Sequence, residues 1–164
     1  MTGSGASFEN VSMRIGVISD THGLLRPEAM AALAGVDHIL HAGDVGDAEI
    51  LDALRAIAPV TAIRGNIDRA GACAALPATE LVELGGVSFY MLHDVKTLDL
   101  DPVAAGIAVV VSGHSHQPRV ERRRGVLYLN PGSAGLRRFS LPVTVAMVTL
   151  GEGAPRAEII ALLR

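Results

Sequence analysis

The feature that most constrains the fold is a repeated unit, a short apolar run followed directly by a polar motif rich in His, Asp or Asn. The motifs are SDTHG (19–23), GDVGD (43–47), GNID (65–68), HD (93–94), GHSH (113–116) and NPGS (130–133). Short apolar runs with such boundaries are typical of buried strands. Ligands of open α/β sheets bind outside the carboxyl ends of the strands, so we expect these motifs to converge at one edge.

The first half of the chain alternates strands with segments of helical spacing, which predicts crossover units and a parallel sheet. Strands are predicted over 14–19, 37–43 and 59–65, with helices over 27–35 and 48–58 between them.

The second half predicts hairpins. Extended runs over 79–92 meet at Gly85 and Gly86, and a second hairpin over 119–130 turns near Gly125. Further elements are strands over 107–113, 142–150 and 156–163 and a helix over 97–105. The sheet therefore becomes mixed, and the predicted class is α/β or α+β.

The chain has 164 residues, enough for a single domain with its own core. It is 49% hydrophobic but only 3% aromatic, so the core must be built from Val, Ile, Leu and Ala. We find no interdomain linker and no repeat of solenoid period. The prediction is a flexible N-terminal tail over 1–12 and one domain over 13–164.

Composition also argues against several classes of partner. The net charge is −3, so no basic field favours long nucleic acid or an anionic membrane. No apolar run reaches the roughly 18 residues needed to span a bilayer, and the N-terminus does not resemble a secretory signal. A single cysteine, Cys73, excludes an internal disulfide and fits a reducing compartment. We therefore predict a cytoplasmic protein.

The polar motifs contain two carboxylates, four imidazoles and one side-chain amide that suit a metal site. They are Asp20, His22, Asp44, Asn66, His93, His114 and His116. This mixed set favours Mn, Fe, Zn, Co or Ni over Ca or a thiolate zinc site. Seven ligands are too many for one ion, whereas two ions about 3.5–4 Å apart can share them through a bridging carboxylate.

The ordered motifs Asp-x-His, Gly-Asp, Gly-Asn-x-Asp, His and Gly-His-x-His resemble those of the calcineurin-like metallophosphoesterase superfamily. The small size and the NPGS motif resemble its compact YfcE-type phosphodiesterases, over about residues 14 to 150. The resemblance implies a metallophosphoesterase fold, a four-layer α-β-β-α sandwich of two mixed β-sheets flanked by helices. It also implies a dinuclear site at the strand ends.

The resemblance further implies how the ligands divide. Asp20, His22 and His116 hold the first ion, and Asn66, His93 and His114 hold the second, while Asp44 bridges them. A hydroxide that bridges the ions attacks phosphorus in line, so Asp44, Asn66 and His93 also count as catalytic. We expect two divalent transition-metal ions, Mn first, with Ni, Zn, Fe or Co as alternatives.

The chain departs from the family pattern at two positions. Larger members often have a histidine after the motif asparagine, a proposed leaving-group acid, and here Ile67 takes its place. Small or activated phosphodiesters with good leaving groups are therefore the predicted substrates. Asp94 follows His93 where relatives have glycine, and we expect Asp94 to orient a ligand.

Supporting roles are predicted for further polar residues. Asp68 is predicted to accept hydrogen bonds behind the ligands, and Asp47 to cap the helix that follows it. Two roles are open for His41, three residues before Asp44: support of the site, or a structural, hydrogen-bonded histidine, which is favoured. Arg137 and Arg138, just beyond NPGS, are the candidates to bind a substrate phosphate.

Two alternatives remain open. One is a non-catalytic scaffold of the same fold, as in the retromer vacuolar-sorting subunit, although a scaffold has no need for seven metal ligands. The other is a phosphomonoesterase or a nuclease, which differs only in substrate. The sequence does not specify an oligomer, but exposed sheet edges allow a homo-oligomer to form.

Overall fold

The computed structural model describes residues 12–163. The predicted tail over 1–12 therefore lies outside the described residues except at Ser12. The described strands are β1 (Met13–Ile18), β2 (His38–His41), β3 (Val60–Ala62), β4 (Thr79–Leu84), β5 (Val87–Leu92), β6 (Val109–Val111), β7 (Arg119–Arg123), β8 (Val126–Asn130), β9 (Thr144–Leu150) and β10 (Arg156–Ala161). The helices are α1 (Pro27–Ala32), α2 (Ala48–Arg55) and α3 (Gly71–Ala74), with a 3-10 helix over Val95–Thr97.

The strands form two mixed sheets of five strands each. The first sheet has the order β10-β9-β1-β2-β3, in which β1, β2 and β3 are parallel. The predicted crossover units are thus confirmed. The second sheet has the order β4-β5-β6-β8-β7 and contains both predicted hairpins, β4-β5 and β7-β8.

The main hydrophobic core lies between the two sheets. Alternate side chains of each strand point to the same face, so Ile15 and Val17 of β1 meet Phe89 and Met91 of β5 in one cluster. Phe89 is fully buried and is the largest side chain of this layer. The core therefore holds the two sheets face to face and fixes where their strand ends lie.

Helices cover the outer face of the first sheet. The helix α2 places Ile50, Leu51 and Leu54 on its buried side, as its helical spacing predicts. It begins after Asp47, whose side chain accepts a hydrogen bond from the backbone N–H of Glu49 at 2.9 Å. The predicted cap is confirmed.

The outer face of the second sheet is covered differently, and the predicted helix over 97–105 is wrong. Only a 3-10 helix forms, over Val95–Thr97, and turns follow as far as Gly106. The Asp101 side chain accepts from the backbone N–H of Val103, the same bond that Asp47 makes where α2 begins, so a new turn starts in the middle of the predicted helix. Leu98 of this segment packs against a cluster that includes Leu92 and Val110 of the second sheet. The fourth layer of the sandwich is therefore a short 3-10 helix with turns.

Within residues 12–163, no helix is both long and apolar enough to cross a membrane. The cytoplasmic location stays a prediction.

Candidate metal centre

The predicted motifs converge where the strands of both sheets end. Asp20 and His22 follow β1, Asp44 follows β2, Asn66 follows β3, His93 follows β5, and His114 and His116 follow β6. Backbone bonds join these loops, from Asp20 N to Gly43 O at 3.0 Å and from Gly113 N to His93 O at 2.9 Å. All seven side chains predicted as ligands therefore lie on loops at one end of the sandwich.

Asp20, His22 and His116, which we call the deep group, bring three donor atoms within 4.8 Å of one another. Oδ1 of Asp20 lies 3.6 Å from Nε2 of His22 and 3.4 Å from Nε2 of His116. Oδ1 of Asp20 and Nε2 of His22 are buried and have no hydrogen-bond partner among the described residues. Buried polar atoms without partners are costly, and a cation between them would satisfy both.

Asp44 lies between the deep group and the next ligands. Its Oδ2 is 3.2 Å from Nε2 of His22 and 3.3 Å from Nε2 of His93. Asp20, Asp44 and His93 form a second set of donor atoms within 4.8 Å of one another. Asp20 therefore belongs to both donor sets, while Asp44 belongs to the second set and reaches the deep group through His22. Two neighbouring cations require shared carboxylates of this kind.

Asn66, His93 and His114 form what we call the rim group. In the structure the Asn66 amide oxygen faces only acceptors, 3.1 Å from Nε2 of His93 and 3.2 and 3.3 Å from the carboxylate oxygens of Asp44. The reversed amide would donate hydrogen bonds to the same atoms. The oxygen-inward orientation is the one a cation needs, and such amide orientations are assigned from their partners.

His114 lies at the outer edge of the rim group. Its ring centroid is 5.2 Å from that of His93, and its Nε2 is 3.9 Å from a carboxylate oxygen of Asp94. Neither close donor set includes His114. The Asp94 carboxylate faces His114 and also accepts from the backbone N–H of Lys96. Asp94 therefore contacts a different predicted ligand from the one that precedes it in sequence.

The backbone of the ligand loops is strained. Seven described non-glycine residues have positive φ, and five of them are predicted ligands. These five are Asp20 (55°), His22 (46°), Asp44 (55°), His114 (69°) and His116 (62°). Each such conformation costs roughly 1–3 kcal/mol and persists only where the surroundings enforce it, which is typical of functional sites.

Hydrogen bonds hold Asp20 in this conformation. Its Oδ2 accepts from Oγ of Ser19 at 2.6 Å and from the backbone N–H of His114 at 3.1 Å. Oγ of Ser133 donates to the Asp20 carbonyl at 3.0 Å, so the NPGS motif supports the same residue. With Oδ2 occupied, Oδ1 is the oxygen that faces the cluster.

Asp68 joins the loop of Asp44 to the loop of Asn66. Its carboxylate accepts from the backbone N–H groups of Val45 at 3.1 Å, Gly46 at 3.0 Å and Gly65 at 2.8 Å. It thus lies where the sequence predicts an acceptor behind the ligands.

The protonation of His93 follows from its neighbour. Nδ1 of His93 lies 2.7 Å from the carbonyl oxygen of Ala42, which only accepts, so Nδ1 carries the proton. In the neutral ring Nε2 is then a lone pair directed at the cluster, the tautomer that metal-ligating histidines adopt.

Two glycines leave room for the carboxylates. A Cβ on Gly65 would collide with the backbone N and Oδ1 of Asp44, and a Cβ on Gly113 would lie 2.5 Å from Oδ2 of Asp20. Close approach, and not turn geometry, requires glycine at both positions.

The site's electrostatics favour a bound cation. Burial raises the pKa of Asp20, but contacts with His116, His22 and Ser19 lower it more, to well below its usual value. Burial likewise raises the pKa of Asp44, and its contact with His93 leaves it lowered overall. Burial lowers the pKa of His93, but Asp44 and the Ala42 carbonyl leave it raised. Both carboxylates are ionised at neutral pH, as metal ligands must be.

Comparison with known proteins identifies the family. The model of the calcineurin-like phosphoesterase superfamily domain matches residues 13–153. The chain belongs to this superfamily. It is 38% identical over 143 residues to a probable metallophosphoesterase of Methanocaldococcus jannaschii, covering 79% of this chain and 72% of that protein.

Solved structures share the fold of this phosphoesterase. A structure described as a novel archaeal phosphodiesterase superposes with a TM-score of 0.75 and 23% identity, covering 90% of this chain and 100% of that one. Wild-type Vps29 of Entamoeba histolytica in complex with zinc superposes with a TM-score of 0.65 and 19% identity, covering 92% of this chain and 100% of that one. The predicted metallophosphoesterase fold is confirmed.

A cavity of about 330 Å³ opens beside the rim group of the phosphoesterase. Asn66, His93 and His114 line it together with Arg64 and Thr97. Arg64 was not among the site residues predicted from the sequence, although its position two residues before Asn66 indicated that it lies near the site. Its guanidinium is fixed by a 2.7 Å hydrogen bond from Nη1 to the Leu76 carbonyl.

The prediction that Arg137 and Arg138 bind a substrate phosphate stays a prediction. Arg137 and Arg138 are exposed, and neither is among the described residues that line the cavity. The NPGS motif has a structural role through Asn130. Its Nδ2 donates to the Gly113 carbonyl at 2.9 Å and supports the loop of His114 and His116.

Proposed function

We propose that the protein is a metal-dependent phosphodiesterase with a dinuclear site that acts on small or activated phosphodiesters. The carrying observation is the position of Asp44, whose Oδ2 lies at similar distances from His22 in the deep group and His93 in the rim group, 3.2 and 3.3 Å. A carboxylate between two donor sets is the arrangement that two neighbouring ions need.

In this proposal each group would hold one divalent ion, and Asp44 would be a ligand of both. Mn²⁺ is the ion we expect, with Ni, Zn, Fe and Co as alternatives, because the donors mix carboxylate, amide and imidazole. When bound, such ions activate water near neutral pH and neutralise charge on phosphoryl oxygens.

The chain's own residues supply preorganisation. The Ala42 carbonyl fixes the His93 tautomer, and Ser19 fixes which oxygen of Asp20 faces the cluster. Asp44 has its Oδ1 held by the backbone N–H of Ile67 at 3.1 Å. Donor groups that are already in place cost no reorganisation when a substrate reacts.

The cavity beside the rim group supports a small substrate. At about 330 Å³ it suits a small organic substituent. No aromatic ring of the described residues lines it other than the imidazoles of His93 and His114, so it offers little surface for stacking a nucleobase. Arg64 is the cation suited to a phosphoryl oxygen here.

The leaving group must leave without help from the residue after Asn66. The Ile67 side chain, 41% exposed, carries no proton to donate. Esters with good leaving groups are therefore the proposed substrates, and bulky alcohols with high pKa values are not.

The structural similarity to Vps29 keeps a non-catalytic scaffold as a second candidate function. The neighbour of that name is described as complexed with zinc, so metal binding alone does not separate an enzyme from a scaffold. Hydrolysis does. The phosphomonoesterase and nuclease readings are separated by substrate, and the net charge of −3 disfavours long nucleic acid. A cytoplasmic location and a homo-oligomer also stay predictions.

The test is a metal analysis followed by hydrolysis assays. Purified protein is analysed for bound metal, then assayed on bis-p-nitrophenyl phosphate and p-nitrophenyl phosphate with added Mn, Ni or Zn. Asp44→Asn is the matched control because it keeps the side-chain shape. We expect about two ions per chain, preference for the diester, and loss of activity in the variant.

Other outcomes separate the alternatives. Metal-replete protein that hydrolyses neither ester contradicts the enzyme proposal and favours the scaffold. Faster hydrolysis of the monoester leaves a phosphatase, and full activity in Asp44→Asn contradicts the role of Asp44.

A further inference from the structure

A buried histidine that is not a predicted ligand lies beneath the deep group. His41 is the last residue of β2, fully buried, and both of its ring nitrogens have partners. Nδ1 lies 3.2 Å from the backbone N of Gly43, and Nε2 lies 3.1 Å from Oγ1 of Thr21. Thr21 in turn lies 2.8 Å from the Val45 carbonyl through the same oxygen.

The direction of each bond in this chain is determined. A backbone N–H only donates, so Nδ1 of His41 accepts and the ring is the neutral tautomer with its proton on Nε2. Nε2–H therefore donates to Thr21. The Val45 carbonyl only accepts, so the Thr21 hydroxyl gives its own proton to Val45. Burial lowers the pKa of His41 to about 4, which agrees with a neutral ring at neutral pH.

The chain of bonds connects two strained loops. Thr21 stands between Asp20 and His22, both with positive φ, and Gly43 and Val45 flank Asp44, whose φ is also positive. Backbone hydrogen bonds already join the two loops, from His22 N to Asp44 O at 2.9 Å and from Gly23 N to Val45 O at 2.9 Å. His41 and Thr21 add a side-chain connection under the carboxylates, where no solvent reaches.

We infer that His41 and Thr21 form a positioning pair that holds the loops of Asp20 and Asp44 at the spacing that metal binding requires. The inference rests on the proposed metal site. Neither residue directs an atom at the ion, so the pair acts through the ligands on either side of it. Partners behind metal ligands typically change metal affinity roughly 10- to 100-fold when they are removed.

The same strand offers a matched control. His38, three residues earlier on β2, makes a similar bond, 2.8 Å from its Nε2 to Oγ1 of Thr61. This second His–Thr pair is half-buried and joins β2 to β3 away from the ligand loops. Removal of either threonine hydroxyl deletes one His–Thr bond, but only Thr21 lies between ligands.

The experiment compares Thr21→Val with Thr61→Val. Mn²⁺ affinity is measured by calorimetry, and thermal unfolding is followed on metal-free protein. We expect Thr21→Val to lose roughly 10- to 100-fold in Mn²⁺ affinity. Thr61→Val should keep wild-type affinity while both variants unfold at somewhat lower temperature. Equal affinity in Thr21→Val and the wild type, or equal losses in both variants, would overturn the inference.

Two further measurements guard against a variant that fails to fold. Thr21→Ser keeps the hydroxyl and should retain most of the affinity, whereas a loss like that of Thr21→Val would rule out the hydroxyl as the cause. NMR of the wild-type imidazoles should place the His41 proton on Nε2, and a proton on Nδ1 would contradict the bond chain. Wild-type protein that binds no Mn²⁺ would sink the proposed function itself, a result distinct from these.

Discussion

The deep group and the rim group are built to different degrees of completeness. The Asp20 side chain is fully buried and that of His116 is 5% exposed, whereas the His114 side chain is 47% exposed and lines the open cavity. Asp20 has its second oxygen held by two hydrogen bonds, while the nearest charged group to His114 Nε2 is Asp94 at 3.9 Å. His22 at 20% exposed and His93 at 8% lie between these extremes, so the site is closed at the His116 end and meets the solvent, from which a substrate arrives, at the His114 end.

The largest expected effect comes from removing one histidine from each group. His116→Ala removes a buried ligand of the deep group. We expect kcat to fall on the order of 1000-fold and the Mn²⁺ site of this group to be lost. His114→Ala removes an exposed side chain of the rim group. We expect kcat to fall about 10- to 100-fold and only the Mn²⁺ site of the rim group to weaken. Steady-state kinetics and Mn²⁺ calorimetry measure both. A larger loss in His114→Ala would reverse the comparison.

The next effect comes from the glycine that lets the two groups share Asp44. Gly65→Ala places a methyl group against the Asp44 carboxylate, which must then move. A displaced carboxylate of about 1 Å costs roughly 100-fold in rate, so kcat should fall by at least that factor. Gly151→Ala is the control, since its methyl group would meet its nearest neighbour at an ordinary 3.7 Å. Activity equal in the two variants would show that Asp44 is not confined here.

A smaller effect is expected at Asp68, which supports the loops from behind. Asp68→Asn keeps the shape but replaces an acceptor oxygen with a donor that faces backbone N–H groups. We expect roughly a 10-fold loss in kcat and a weaker rim-group ion, because the Asn66 loop loses part of its anchor. Asp47→Asn, at the cap of α2, serves as the control and should leave kcat unchanged. A normal Mn²⁺ titration of Asp68→Asn would contradict the anchor role.

The last expected effect is on stability and not on activity, and it arises beneath the deep group. Burial lowers the pKa of His41 from 6.5 to about 4, so between these values the unfolded chain binds a proton that the folded chain does not. Stability is therefore lost as the pH falls from about 6.5 to 4, by about 3 kcal/mol in total. Urea unfolding of metal-free wild type and His41→Asn measures it. The variant should lack this part of the decline, and parallel pH profiles would contradict the burial of a neutral ring.

Much of this fold was predictable because its signals are local. Six strands, β1, β2, β3, β5, β6 and β8, are apolar runs that precede the six polar motifs, and Gly85–Gly86 and Gly125 mark the hairpins where the structure has them. The family resemblance then supplied the way the strands assemble. The predicted helix over 97–105 is wrong because Leu98 and Leu100 pack on the outer face of the second sheet from a non-helical segment. The spacing of apolar residues does not distinguish such a segment from a helix.

The finer parts of the site were not predictable from residue types. Left-handed φ at Asp20 or His116 depends on bonds from distant loops, such as the one from His114 N to Asp20. Arg64 lines the cavity only because β3 ends beside β5 in the folded protein. Arg137 and Arg138 were chosen by family position, and their role stays a prediction because both are exposed and do not line this cavity.

Anomalous diffraction decides whether two ions bind between these loops. Crystals grown with Mn²⁺ are measured at the manganese absorption edge, and the anomalous difference map is calculated. We expect two peaks about 3.5–4 Å apart, one among Asp20, His22 and His116 and one beside Asn66 and His93. A single peak, or peaks that do not have Asp44 between them, would contradict it.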